Sequence, residues 1–284
     1  MDSVRKEGAV LVTGASRGLG RSISMALNAR GYRVFAGVRK PTDADSLRNA
    51  SDGQISPIIL DVTQMESVAA AFQVVSAEIG DTGLAGLVNN AGVLVFGPVE
   101  EVPIRVVEEQ FRVNLFGVIG VTQRFLPLLR RARGRIVNMS SINGLISMPF
   151  FGIYSASKFA LEAISDALRM ELQPWGISVS IVEPGLAASN IRGTGVQQWT
   201  ENLQLLSAEQ RKLYEPLLEK SREIIASFER TAAGHEHVTR AVLDALTSEA
   251  PQTRSMVGPD VSQWGEMLKL PDIERDRALL SLLE

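Results

Sequence analysis

The sequence predicts an α/β protein: a doubly wound parallel sheet of the Rossmann type, with helices on both faces. Three observations carry this. Short runs rich in Val and Ile alternate with longer stretches of helical periodicity, the pattern of βαβ units. Several of these runs empty directly into Gly, Asn, Asp or Pro. The first run is followed by a glycine cluster, Gly14-Ala15-Ser16-Arg17-Gly18-Leu19-Gly20, which lets the chain turn tightly from strand to helix.

The elements follow in order. Ala9–Thr13 is a short apolar run closed by Gly14 and reads as the first strand. Helical periodicity over Gly18–Arg30 stops at Gly31, a residue that ends helices by tolerating positive φ. Arg33–Val38 and Ile55–Leu60 are the second and third strands. Thr63–Ile79 carries Thr63 and Glu66 at capping-box spacing and stops at Gly80. Leu84–Asn89 is the fourth strand, Pro103–Arg131 a long helix, Arg135–Ser140 the fifth strand, Ile153–Gln173 another long helix and Ile177–Val182 the sixth strand. Right-handed crossovers between such strands place helices on both faces.

After Pro184-Gly185 the strand signals stop. A Gly/Ser/Asn-containing loop leads to a charged helical stretch, Ala208–Phe228, so residues 186–230 read as an insertion on the sheet. A helix at His237–Thr247 and a strand at Arg254–Gly258 resume the core, while the amphipathic tail, Val261–Glu284, has no assigned place. No internal repeat or low-complexity linker divides residues 1–284, so one domain is expected.

Composition narrows the function. The 284 residues include 29 Lys and Arg against 32 Asp and Glu, a formal charge of −3, and the pI is about 5.6. Gripping a nucleic-acid backbone needs a surplus of clustered positive charge, so nucleic acid is not an expected partner. With 45% hydrophobic and 21% charged residues the chain is globular rather than disordered. The absence of cysteine removes disulfides, thiolate metal sites and cysteine nucleophiles. His235 and His237 have neither metal-pair nor triad spacing, so no metal is expected. Val113–Leu129 is the most apolar stretch, but Asn114, Gln123, Arg124 and Pro127 interrupt it. No membrane span is expected, and the protein reads as cytoplasmic.

In an open parallel sheet, ligands bind beyond the carboxyl ends of the strands. The glycine cluster lies there, where glycines let a diphosphate approach backbone N–H groups at the positive end of a helix dipole. Its spacing, Gly-x-x-x-Gly-x-Gly, is moderate evidence alone. The other strand ends add Asp61-Val62, Asn89-Asn90-Ala91-Gly92, Ser140-Ser141 and Pro184-Gly185, while Asn114 and the pair Tyr154 and Lys158 sit on helices.

Taken in order, these motifs resemble the short-chain dehydrogenase/reductase family over residues 8–190, with weaker likeness near 237–258. The resemblance implies a nicotinamide dinucleotide cradled by Gly14, Ser16, Arg17, Gly18, Leu19 and Gly20. Asp61 and Val62 would flank the adenine; Asn89, Ala91 and Gly92 would stabilise a strand end and border the ribose. Pro184 and Gly185 would close the site, and Ser189 stands where the family commonly has a carboxamide-contacting Thr. Within the family, the chain resembles the hydroxysteroid, retinol and 3-hydroxybutyrate dehydrogenase cluster through Val34–Arg39, Trp175–Val179, Ile181–Gly185 and the stretch from Ala245 to Arg254.

Cofactor preference has its own argument. NAD sites usually offer a carboxylate at the end of strand two, whereas a 2′-phosphate attracts guanidinium. Here Val38 occupies that place, Arg39 follows, and Arg17 can reach the same point, so NADP(H) is expected, with NAD(H) as the alternative. Tyr154 and Lys158 are one helical turn apart and share a face. A neighbouring ammonium favours the phenolate, which makes Tyr154 a general acid/base, while Lys158 can also hold ribose hydroxyls. Ser141, at the family's spacing before the Tyr, would hydrogen-bond the substrate oxygen; Ser140 should face the other way. By resemblance, the Asn114 carbonyl would bind a water connected to Lys158.

The expected reaction is hydride transfer between nicotinamide and a carbonyl or secondary alcohol. Leu94, Val95 and Phe96, with Leu145, Met148, Phe150 and Phe151, are candidate walls of an apolar pocket, and 186–230 a lid, which favours a small-molecule substrate that is lipophilic. The alternatives are a small polar or acyl-thioester β-keto substrate, or a dinucleotide-binding sensor without chemistry. In the resembling family the two long helices form subunit interfaces, so a homodimer or homotetramer is expected.

Overall fold

The computed structural model describes residues 8–51, 54–185, 204, 207–230 and 234–282. Among these lies one sheet of seven parallel strands in the order β3-β2-β1-β4-β5-β6-β7. The strands are β1 (Ala9–Val12), β2 (Arg33–Val38), β3 (Ser56–Ile59), β4 (Leu84–Asn89), β5 (Arg135–Met139), β6 (Ser178–Pro184) and β7 (Arg254–Val257). The chain runs outward from β1 to β3, then returns to start β4 on the other side of β1. The crevice between β1 and β4 is therefore the switch point where such sheets bind ligands.

The helices are α1 (Gly18–Ala29), α2 (Pro41–Ala50), α3 (Met65–Ile79), α4 (Ile104–Phe111), α5 (Val118–Ala132), α6 (Gly152–Leu172), α7 (Ala208–Arg230), α8 (Glu236–Thr247), α9 (Val261–Met267) and α10 (Asp272–Ser281). Side-chain alternation along the strands sorts them into two layers. Val10, Val12, Val34, Ala36 and Val137 pack with Leu19, Ile23 and Leu27 of α1, Leu47 of α2 and Val238, Val242 and Leu246 of α8. Leu11, Phe35, Leu87 and Ile136 pack the opposite way, against Val68 and Val75 of α3, Val121 and Phe125 of α5 and Leu172 of α6. The central parallel strands, buried on both sides, need such apolar runs.

Four details depart from the expectation. Helix α2 had no periodic signal, since only Ala44 and Leu47 of its ten residues are buried; Pro41 at its first position supplies the start. Thr63 does not cap α3, which begins at Met65 without a side-chain cap. Instead the Thr63 amide and hydroxyl donate to Asp61 Oδ1 at 2.9 and 2.7 Å, tightening the turn after β3. The helix expected over 103–131 contains a π-helical turn, Arg112–Gly117, between α4 and α5. The turn lies where Gln110 and Asn114 both donate to Val93 O, at 2.8 and 3.0 Å. The tail, finally, has a place: Trp264 and Met267 of α9 and Leu279 of α10 pack with Ile142 and Ile146 beyond β5. The insertion at 186–230 is described only in part; α7 contributes Tyr214 and Leu218 to an aromatic cluster with Phe96 and Phe150.

Candidate active site

The switch-point crevice is built from two loops that bond to one another. Thr13 Oγ1 accepts the amides of Asn90 and Ala91, both at 3.0 Å. Asn90 Nδ2 donates back to the carbonyls of Thr13 and Gly14 at 2.9 and 3.1 Å. The asparagine that ties β4 to the glycine turn is thus Asn90, next to the Asn89 named from the sequence. Asn89 points inward, donating to Thr122 and Asn138 at 3.0 and 2.8 Å, so its role is to fix β4 against β5 and α5. Thr13 and Asn90 lie inside the motifs read from the sequence but were not singled out, because neighbouring strand residues face opposite ways and a doubled Asn does not show which one turns outward.

The glycines play different parts. Gly14 has φ +66°, and a Cβ on it would stand 2.8 Å from Ala91 Cα; a Cβ on Gly20 would meet the Gly14 carbonyl oxygen at 2.3 Å. Those two keep the loops in contact. Gly18 has φ +55°, and a Cβ on it would meet nothing within 4 Å, so it borders open space at the start of α1. Leu19 is buried beneath the turn, Ser16 is half-buried and Arg17 is exposed. The Ala15 amide donates to Gly37 O at 2.9 Å, which brings the end of β2 beside the turn. Val38 is buried in the core, and the next residues, Arg39 and Lys40, are exposed. Asp61 is half-buried and its carboxylate is occupied by Thr63. Val62 is buried against Gly117, on which a Cβ would stand 2.8 Å from Val62 Cγ2. A cradle of backbone amides at a helix N-terminus, open at Gly18, with the exposed Arg17 in the turn and the exposed Arg39 just after β2, fits a dinucleotide diphosphate with a further phosphate.

The reacting groups lie on the other side of β4. Ser141 follows β5 and caps the 3-10 turn Ile142–Gly144; its Oγ accepts the Asn143 amide at 3.2 Å, leaving its own O–H to donate outward. Tyr154 and Lys158 are one turn apart on α6 and both buried. Lys158 Nζ donates to Met139 O at 2.7 Å, pinning the ammonium to the end of the strand that delivers Ser141. It lies 5.8 Å from the Tyr154 ring centroid. Burial pulls the Lys158 ammonium down to about 8, against which the nearby Glu162 charge pushes up. Lys158 is therefore still mostly cationic at neutral pH.

Asn114 sits in the π turn and is buried. Its Oδ1 accepts the Val93 amide at 2.9 Å, while Nδ2 donates to Val93 O and to Ser157 Oγ at 3.0 and 3.2 Å. Ser157 Oγ in turn donates to the Tyr154 carbonyl at 2.7 Å. The side chain thus braces the loop after Gly92 against the helix of Tyr154 and Lys158. A Cβ on Gly92 would stand 3.6 Å from Asn114 Oδ1 and 4.0 Å from Lys158 Nζ, so Gly92, Asn114 and Lys158 share one corner. Pro184 ends β6 opposite Val257 of β7, and the Gly185 amide that follows donates to Val257 O at 2.8 Å. Ser189 lies outside the described residues.

Two apolar clusters flank Ser141 and Tyr154. In one, the Phe96 ring meets Phe151 edge to face at 4.8 Å between centroids, and Phe150 meets Tyr214 of α7 at 6.3 Å. Phe150 holds φ +67°, a left-handed conformation that a bulky side chain adopts only when its surroundings enforce it. In the other, Leu145 and Met148 pack beside Ile142, Ile146 and Trp264. The residues named from the sequence as one pocket lining are divided between these two walls. Val95 belongs to neither, being buried with its amide donated to Gln110 Oε1 at 2.7 Å.

Comparison with known proteins follows the same lines. A family model described as short chain dehydrogenase matches residues 8–199. The chain is 40% identical over 262 residues to 17-beta-hydroxysteroid dehydrogenase type 6 of Bos taurus, covering 88% of this chain and 80% of that protein. It is 38% identical over 258 residues to retinol dehydrogenase 7 of Rattus norvegicus, with the same coverage of 88% and 80%. A short chain dehydrogenase of Burkholderia cenocepacia, solved in complex with NADP, superposes with a TM-score of 0.74 at 25% identity over 97% of this chain and 98% of that one. With the glycine turn, the Asn90 latch and the Ser141, Tyr154 and Lys158 group on one edge of one sheet, the chain belongs to the short-chain dehydrogenase family and is a nicotinamide-dependent oxidoreductase.

Proposed function

We propose that the protein interconverts a lipophilic ketone and its secondary alcohol, with NADP(H) preferred over NAD(H). The observation that carries this reading is the burial of Ser141, Tyr154 and Lys158, with one apolar cluster built from residues directly after Ser141 and another from residues directly before Tyr154. A bound nicotinamide supplies or accepts the hydride. For reduction, Ser141 donates a hydrogen bond to the substrate oxygen and Tyr154 delivers a proton to that oxygen; for oxidation, the Tyr154 phenolate removes it. Lys158, held by Met139, keeps positive charge beside the phenol and offers donors to the ribose. The names of the relatives support a bulky apolar substrate over a small polar one, and the presence of both Tyr154 and Lys158 supports chemistry over sensing alone.

Arg17 and Arg39, exposed beside the glycine turn, are the proposed 2′-phosphate contacts. One charge-assisted contact is worth about 1.5–3 kcal/mol, so Arg39→Asp should shift the NADPH-to-NADH ratio of kcat/KM towards NADH by roughly 10- to 100-fold. The test is NADPH and NADH oxidation in parallel, against carbonyls from small keto acids to steroids and retinal. A clear NADH preference in the unmodified protein would overturn the cofactor assignment, and turnover confined to small polar substrates would overturn the substrate class.

A homodimer or homotetramer belongs to the same reading. Phe116 of the π turn and Phe159 and Met170 of α6 are 59%, 45% and 65% exposed, apolar surface that a partner subunit would cover. Size-exclusion chromatography with light scattering should give a multiple of 30.8 kDa; a mass equal to one chain would contradict the assembly.

A further inference from the structure

The tail beyond β7 returns across the carboxyl edge of the sheet. Strands β5, β6 and β7 lie side by side and end together: Ser140 and Ser141 follow β5, Gly185 follows β6 and Gly258 follows β7. The Ser140 amide donates to Val182 O and the Gly185 amide to Val257 O, both at 2.8 Å, so each strand end is bonded to the next. Helix α9 starts at Val261, shortly after Gly258.

Asp260 stands just before that helix, where an aspartate ordinarily caps the free amides with its own carboxyl. It makes no such bond. Its Oδ2 instead accepts the Trp264 indole N–H at 2.8 Å, and the carboxyl lies over Gly185. A Cβ on Gly185 would stand 2.2 Å from Asp260 Oδ1, 2.7 Å from its Cγ and 2.8 Å from Oδ2, and these are the three nearest atoms. Gly185 is not among the glycines with positive φ, so its backbone does not demand glycine. What excludes a side chain at 185 is the Asp260 carboxyl standing in its place.

Trp264 carries the tie further. It is 1% exposed and, with Met267, belongs to the apolar cluster of Ile142 and Ile146. Ile142 opens the turn that Ser141 caps. The tail thus meets the end of β6 through the Asp260 carboxyl and the turn after β5 through Trp264.

We propose that Asp260 is a positioning residue: seated on Gly185 and held by Trp264, it sets the strand end beyond β6 against the turn that presents Ser141. The tail then completes the carboxyl edge of the sheet, where ligands of such folds bind. The inference rests on the reading of Ser141 as the donor to the substrate oxygen. Asp260 acts through Gly185 and Trp264, not on the reactants.

The test is a size exchange. Gly185→Ala should lower the thermal midpoint and slow single-turnover hydride transfer, per bound cofactor, by about 10-fold, because the new methyl displaces the carboxyl. Asp260→Ala should slow it by about the same factor, the effect of leaving the buried Trp264 donor without its acceptor. The double variant puts the methyl into vacated space and should be no worse than Asp260→Ala alone. Asp260→Asn, whose amide oxygen still accepts from Trp264, should stay within about twofold of the unmodified protein.

A second readout uses the cofactor-free protein: amide hydrogen exchange followed by mass spectrometry. In Asp260→Ala, exchange should rise roughly 10-fold both at 177–185 and at 140–148, segments far apart in the chain, and should return to its starting level in Asp260→Asn. A merely local role would loosen the tail and leave 140–148 unchanged, which would overturn the proposal. So would damage from Gly185→Ala that is undiminished when it is combined with Asp260→Ala, since glycine would then be required for another reason. Should Gly185→Ala not fold, the exchange pattern of Asp260→Ala is still required. An undiminished kcat in Ser141→Ala would remove the reaction assignment on which the inference rests, whereas the exchange result, taken without turnover, tests the tie itself.

Discussion

Tyr154→Phe is expected to lower kcat by roughly 10²- to 10⁴-fold, the usual contribution of a positioned acid or base, while the dinucleotide dissociation constant changes less than about twofold. The ring is buried on α6, and Phe preserves its packing, so the loss isolates the hydroxyl. Lys158 keeps its bond to Met139 O in the variant. Cofactor binding by fluorescence titration and single-turnover rates measured on the same preparation separate the two quantities. An undiminished kcat would remove Tyr154 from the chemistry. Ser141→Ala should also be severely impaired, because the O–H that its Asn143 contact leaves available would have no replacement aimed at the substrate oxygen.

The second large effect concerns the cradle. Gly20→Ala is expected to weaken dinucleotide binding at least about 100-fold and to destabilise the fold by about 1–3 kcal/mol, the cost of overpacking a filled space. The added methyl would stand 2.3 Å from the Gly14 carbonyl oxygen and 2.5 Å from Asn90 Nδ2. One of these is backbone and the other is anchored by two carbonyls, so neither can retreat without separating the turn from β4. Gly18→Ala makes the contrast. Its methyl meets nothing within 4 Å, and the penalty is confined to placing Ala at φ +55°, about 1–2 kcal/mol. Thermal melts and cofactor titrations of the pair should rank Gly20→Ala as the more damaging; the reverse order would refute the steric account.

The parallel sheet was legible because its central strands are buried on both faces and so are rich in Val, Leu and Ile. Tyr154, Lys158 and Ser141 were legible because helical spacing and a strand end bring them together with little help from distant residues. Other features leave no such trace. Helix α2 buries only two side chains, too few to make a period. A π turn preserves the apolar rhythm on either side of it, so 103–131 reads as one helix. Asn89 and Asn90 differ only in which way the last residues of β4 turn. Glu183 and Arg254 lie far apart in sequence and meet only because β6 and β7 are neighbours, with Glu183 opposite Met256 in the register. Glu162, four residues after Lys158, is buried and pairs with Arg254 of β7, which nothing in the helical spacing shows.

The π turn at Arg112–Gly117 acts as a phase shifter. Each residue of an α-helix advances the surface by about 100°, and a π turn absorbs a residue without advancing it. Removing one residue from this turn would restore ordinary helical bonding, and local backbone energy would favour that. It would also swing α5 by about 100° relative to α4. Gln110 and Asn114, four residues apart, share a face in an ordinary helix as well, so what the extra residue sets is the phase of α5 beyond them. The irregularity therefore serves as an alignment element: it lets one side of the junction hold the loop beyond Gly92 through Gln110 and Asn114 while α5 keeps Val121 and Phe125 packed on the sheet.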